Sequence, residues 1–294
     1  MHYLIYALIA YAFWAFATIL DKIIREKYIK NTLALVSFFG IMLFAPMIIV
    51  APFVGVTFAH GTEILLALLS GALVTLCFLP YAKSLEFEEI SRIAPLWNIT
   101  PVFVLLLGFV FLKEHLTVYS YIGFFLLLIG GFLISMRKIT LSKALWLMIA
   151  ACGFLAVSEV LSKYVYGTLA FWDGLFWMLL GCFLSSLLLL FVRNVRRVLS
   201  SCIKKINRKT ALQLVGYALI GFTARLFYYY AIKLGSVTLT TVTAGSEGVF
   251  VFVYALLFAR YLPGLLKEEL EKKVLLGKVI SIVLMVAGLW FIYQ

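Results

Sequence analysis

The feature that most constrains this chain is a succession of apolar stretches, each long enough to cross a membrane as a helix. A spanning helix needs about 20 mostly apolar residues, because lipid leaves no partner for irregular backbone. Ten stretches qualify, centred near Ala12, Leu43, Leu73, Phe103, Leu127, Phe154, Leu180, Phe222, Glu247 and Val286. The chain has 294 residues, 65% hydrophobic and 13% charged. A water-soluble domain of that size cannot hide so much apolar surface. Pro46 and Pro52 are expected to kink and end the second stretch.

The formal net charge of +12 would suit a nucleic-acid binder, but the bases sit in short clusters between apolar segments, the pattern of a polytopic membrane protein. Of 25 Lys and Arg, 21 fall in the odd-numbered loops, the largest cluster lying between Arg193 and Lys209. The other loops hold Lys113, Lys163 and Lys233, and Arg225 lies inside a span. This asymmetry predicts cytoplasmic odd-numbered loops, both termini outside, and residence in the cell (cytoplasmic) membrane. The first span lacks a basic leader and a small-residue cleavage site, so it reads as retained. No cofactor and no metal is expected: none of the four cysteines forms a CxxC, and His2, His60 and His115 are scattered. Neither a metal set nor a Ser/His arrangement points to an enzyme.

The chain also repeats itself. Phe13 to Lys22 (FWAFATILDK) aligns with Phe154 to Lys163 (FLAVSEVLSK), and Pro101 to Leu116 (PVFVLLLGFVFLKEHL) aligns with Gly248 to Pro263 (GVFVFVYALLFARYLP). Five spans followed by five more must enter the membrane in opposite senses. The expected fold is an all-α membrane protein of ten transmembrane helices in two inverted five-helix repeats, residues 1–137 and 138–294, with a site between them near mid-bilayer.

The residues Ser91 to Leu96 (SRIAPL), Thr100 to Thr117 (TPVFVLLLGFVFLKEHLT) and WAFATILDK near the start resemble the EamA-type signature of the drug/metabolite transporter (DMT) superfamily. The chain departs from it at Lys113-Glu114-His115, where Gly-Glu-Arg is usual, and at Gly248, where the second copy usually has Pro. The resemblance implies a small-solute transporter with alternating access, its cavity surrounded by spans one, three, four, six, eight and nine. Members are commonly drawn with both termini in the cytoplasm; the loop charges here predict the reverse. Spans five and ten would pack outside, where Gly123, Gly130, Gly131, Gly277 and Gly288 serve either helix packing within the chain or a homodimer contact.

Ionisable groups inside spans are rare and usually functional. Three occur: Glu159, Arg225 and Glu247. Counted inward from the nearest span ends, they lie roughly 9, 12 and 16 Å below one surface at 1.5 Å per residue. An Arg225–Glu247 pair across the cavity follows, or a static bridge between two spans. Glu159 either competes for Arg225 or bonds Lys163 one turn on. Thr243, Ser246, Tyr228, Tyr229, Trp97 and Asn98 are further binding candidates, although a Thr or Ser in a span often bonds its own helix instead. Asp21 with Lys22, and Arg92 with Glu88 and Glu89, could gate the inner end or simply be solvated helix ends. The expected activity is movement of a small metabolite, of amino acid or organic anion type, with proton coupling as one version. Alternatives are an anion exchanger or uniporter and a lipid-linked flippase. The expected partners are the small solute and the bilayer, with no nucleic acid.

Overall fold

The structure is a computed structural model that describes residues 2–29, 31–57, 61–135, 143–203, 207–258 and 272–294. The boundary foreseen at 137/138 and the loop bases Lys30, Arg137, Lys138, Lys204, Lys205, Arg260 and Lys267 lie outside them. Every element among the described residues is helical.

α1 (Tyr3–Lys27), α2 (Thr32–Val54), α8 (Lys143–Thr168), α9 (Phe171–Leu188) and α11 (Arg208–Leu234) are continuous. The third apolar stretch divides into α3 (Gly61–Leu76) and α4 (Phe78–Ser84). The fourth is broken: α5 (Ile90–Ile93) leads through a 3₁₀ segment, Ala94–Ile99, into α6 (Thr100–Leu112). The ninth is broken likewise, with α12 (Val237–Val242), a 3₁₀ segment Thr243–Gly245 and α13 (Ser246–Phe258). α7 (Val118–Ser135), the amphipathic α10 (Arg193–Ile203) and α14 (Lys272–Tyr293) complete the fold.

Eight of these segments are long and apolar enough to cross a membrane; Val118–Ile134 and Gly277–Tyr293 are apolar but shorter. Their outward faces are what lipid requires: Phe111 is 70%, Val283 61% and Trp290 57% exposed. Neither proline ends α2 as expected. Both lie inside it, and the helix stops at Gly55, whose φ of 67° is the left-handed cap that glycine adopts without penalty.

α1 packs on α11 and α13, α8 on α3 and α6, α9 on α2 and α3, and α7 on α14. Missing Cβ atoms set the closest approaches. A Cβ on Gly71 would meet Met178 O and one on Gly181 would meet Leu68 O, so α3 and α9 touch backbone to backbone. Gly123 faces Gly288 across the α7–α14 seam, and Gly131 faces Gly245. Those glycines are therefore used for helix packing within the chain.

Candidate functional site

The helices enclose a cavity of about 660 Å³. Its walls come from the middle of α1, the start of α2, the end of the α3–α4 segment, the broken fourth segment, α8, α11 and α13. The fourth segment owes its place there to local chemistry. Pro95 and Pro101 lack the amide that would continue a regular ladder through the fourth segment. In the 3₁₀ turn between them, Asn98 Nδ2 donates to Pro95 O and, at 3.2 Å, to Gly131 O on α7.

Deep in the cavity Tyr11, Trp14 and Tyr228 form an aromatic wall, with ring centroids 5.0 to 5.8 Å apart. Around it stand the three intramembrane charges. Glu247, at the start of α13, accepts a hydrogen bond from Thr18 Oγ1 on α1 at 2.8 Å. Glu159 on α8 is 5% exposed, and its Oε2 has no hydrogen-bond partner. Arg225 on α11 points Nη1 at the Cys182 sulfur, 4.0 Å away, with Tyr229 and Glu159 as electrostatic neighbours.

Of the residues singled out in the sequence, Glu247, Arg225, Glu159, Trp97, Asn98, Tyr228, Tyr229 and Asp21 line this cavity. Several expected details are corrected. Arg225 and Glu247 share the cavity but form no ion pair; among the described residues the ion pairs are Arg25–Asp21 and Arg92–Glu88. Glu159 does not bond Lys163, whose ammonium instead donates to the Ile232 and Gly235 carbonyls. Thr243 and Ser246 are buried, and their hydroxyls bond the backbone at Thr240 O and Thr243 O, so they stiffen the broken helix rather than face the cavity. Arg92 pairs with Glu88 one turn earlier on the surface and takes no part in the cavity wall.

At one end the cavity is bordered by part-exposed polar side chains. Its wall reaches Asp21, Arg25 and Tyr217, where Arg25 Nε donates to Asp21 at 2.6 Å and Nη1 to Thr32. At the opposite end the helices are tied. Lys163 reaches the carbonyls that end α11, and Lys233 reaches Leu169 O just past α8. Thr57 donates twice to Asp173, and Thr238 Oγ1 donates to Glu114 at 2.6 Å. Rings of Tyr166, Phe171, Tyr229 and Tyr230 pack together here, Tyr166 stacked on Phe171 and tilted against Tyr229, and Phe171 edge-on to Tyr230.

Reasoning from sequence missed Tyr11, Trp14, Thr18, Arg25 and Tyr217. The repeat motif FWAFATILDK does contain Trp14 and Thr18, and that was the available signal. Arg25 lies past the first apolar stretch, yet it is still helical because α1 runs on to Lys27.

A cavity with polar and aromatic walls, enclosed by helices long and apolar enough to cross a membrane, is the architecture of an integral membrane protein. Residues 1–136 match the model of the EamA-like transporter family. The chain is 29% identical over 158 residues to Protein LicB of Haemophilus influenzae (strain ATCC 51907 / DSM 11121 / KW20 / Rd). That match covers 52% of this chain and 53% of the relative, so the chain spans about half the length of LicB. A solved crystal structure of a protein has the same fold, with a TM-score of 0.73 at 14% identity, covering 99% of this chain and 95% of that one.

Proposed function

We propose that the protein is a secondary transporter that moves a small metabolite across the cell membrane by alternating access, built as two inverted five-helix repeats, residues 1–137 and 138–294. The packing supports the repeat. Exchanging each helix of one half for its counterpart turns the α1–α11 contact into α8–α3 and α1–α13 into α8–α6, while α7–α14 and α2–α9 map onto themselves; all of these contacts occur. The 3₁₀ breaks in the fourth and ninth segments are counterparts too, and broken helices at a repeat interface are where such carriers hold their solutes.

The observation that carries the reading is the cavity itself, which gathers Glu159, Arg225 and Glu247 around Tyr11, Trp14 and Tyr228. Both signs of charge beside aromatic faces suit a solute of amino acid type better than a simple organic anion. Arg225 would take the carboxylate, and Glu159 with the aromatic wall would take the ammonium. Neither carboxyl has a basic partner within ion-pair distance, which favours a proton-coupled carrier over an anion exchanger or uniporter. A lipid-linked flippase is disfavoured by a cavity of about 660 Å³, in the range of small-ligand pockets.

By the loop charges the open end, at Asp21 and Arg25, faces the cytoplasm and both termini lie outside. Counterflow in proteoliposomes tests the activity. Loading with unlabelled amino acids is expected to drive uptake of the same labelled compounds, in step with an imposed pH gradient. Counterflow with dicarboxylates only, indifferent to the gradient, would favour the exchanger. Impermeant maleimide tests the topology through Cys202, with the other cysteines removed: labelling on intact cells would invert it.

A further inference from the structure

The repeat carries a relationship beyond the shared fold. Aligning Phe13 to Lys22 with Phe154 to Lys163 places Thr18 on Glu159. Extending the second alignment back by one residue places Thr100 on Glu247. The bonded pair Thr18–Glu247 therefore has a crossed counterpart, Glu159 with Thr100, in which hydroxyl and carboxyl have changed places between the halves.

In the structure only one of the two pairs is made. Thr18 Oγ1 bonds Glu247 at 2.8 Å. Glu159 Oε2 and Thr100 Oγ1 are both buried and make no hydrogen bond of good geometry, with Tyr228 against the Glu159 carboxyl and Cys152 Sγ against Thr100, and they sit on packed neighbouring elements that line the same cavity. The fourth segment instead meets α8 two turns earlier, where Cys152 Sγ donates to Leu96 O at 3.3 Å. Buried polar atoms without partners are uncommon and costly. Two of complementary chemistry on adjacent helices indicate a bond that belongs to another arrangement of those helices.

We propose that Thr100 and Glu159 form a second carboxyl–hydroxyl site, and that the two sites close in turn. This rests on the transporter reading given above. In the present arrangement Thr18 holds Glu247, and Glu159 keeps one buried carboxyl oxygen unbonded. When the cavity opens at the other end, the fourth segment advances along α8 by the seven residues that separate Cys152 from Glu159, roughly 10 Å at 1.5 Å per residue. Thr100 then bonds Glu159, α13 leaves α1, and Glu247 opens to the solute path. Thr18 and Thr100 are thus positioning residues that set which carboxyl is available.

The test uses the full chain, freed of its native cysteines, with Val36→Cys as reporter at the open mouth of the cavity, in proteoliposomes with no solute added. Thr18→Val removes the bond that holds the present state, so maleimide labelling of the reporter should fall several-fold. Thr18→Val with Thr100→Val removes both bonds and should bring labelling back toward the parent, while Thr18→Ser should leave it unchanged. Unchanged labelling in Thr18→Val, or a double variant as poorly labelled as Thr18→Val alone, would overturn the alternation. Because the readout needs no solute, failure of counterflow would count against the transporter reading and leave this result standing.

Discussion

Thr18 Oγ1 donates to Glu247 Oε1 across 2.8 Å, joining α1 to the start of α13 inside the cavity. Among the described residues this hydroxyl is the hydrogen-bond donor that reaches that carboxylate. A hydrogen bond to a charged group contributes about 1.5–3 kcal/mol, a factor of roughly ten to a hundred. Thr18→Val is therefore expected to lower solute uptake by that factor, and Thr18→Ser to keep most of it, in initial-rate measurements on proteoliposomes. If Thr18→Val transports normally, the bond does not position Glu247 for the cycle.

The absence of an ion pair between Arg225 and Glu247 makes a prediction opposite to the one their shared depth suggests. Residues not in contact give additive changes, within about 0.5 kcal/mol. Arg225→Met and Glu247→Gln should add in thermal unfolding of the purified protein. Arg225→Met with Glu159→Gln should deviate from additivity, because Arg225 and Glu159 are electrostatic neighbours. Coupling to Glu247 larger than coupling to Glu159 would contradict this geometry.

The sequence shows the membrane class and the intramembrane charges of the cavity because lipid imposes length and apolarity on every span, and charges inside such spans stand out. Glu159, Arg225 and Glu247 were visible for that reason. Their partners were not. Depth along a helix is countable, but rotation about its axis is set by packing, and that rotation gives Glu247 to Thr18 and leaves Arg225 with Cys182 and Tyr229. Thr18 was one hydroxyl among many, without a charge to mark it. The break in the fourth segment has Pro95 and Pro101 to announce it; the one in the ninth has no proline. Arg25 reached the cavity mouth only because α1 outlasts its apolar stretch.

The seam between α3 and α9 rests on two glycines. A Cβ on Gly71 would fall 1.8 Å from Met178 O, and one on Gly181 would fall 2.1 Å from Leu68 O, both rigid backbone. Overpacking of this kind typically costs about 1–3 kcal/mol. Gly71→Ala and Gly181→Ala should each lower the unfolding temperature clearly. Gly153→Ala, on a helix surface with nothing within 4 Å, should hold or raise it, since alanine favours a helix over glycine by about 1 kcal/mol. Equal behaviour of all three would mean that α3 and α9 do not approach this closely.

Lys163 and Lys233 close the far end reciprocally, each reaching carbonyls at or just past the C-terminal end of the other's helix: Lys163 from α8 to Ile232 and Gly235, Lys233 from α11 to Leu169. A cation at such an end gains about 0.3–1 kcal/mol from the helix dipole and its unpaired carbonyls. Lys163→Met forfeits that gain only while the end is closed, so it should favour opening by about two- to fivefold on the same scale. Leu169, 6% exposed in this state, offers the readout. In a cysteine-free chain, Leu169→Cys should be labelled by impermeant maleimide two- to fivefold faster when Lys163→Met is present, while Lys163→Arg should keep the parent rate. A labelling rate indifferent to Lys163→Met would show that the aromatic packing of Tyr166, Phe171 and Tyr230, and not the lysines, keeps this end shut.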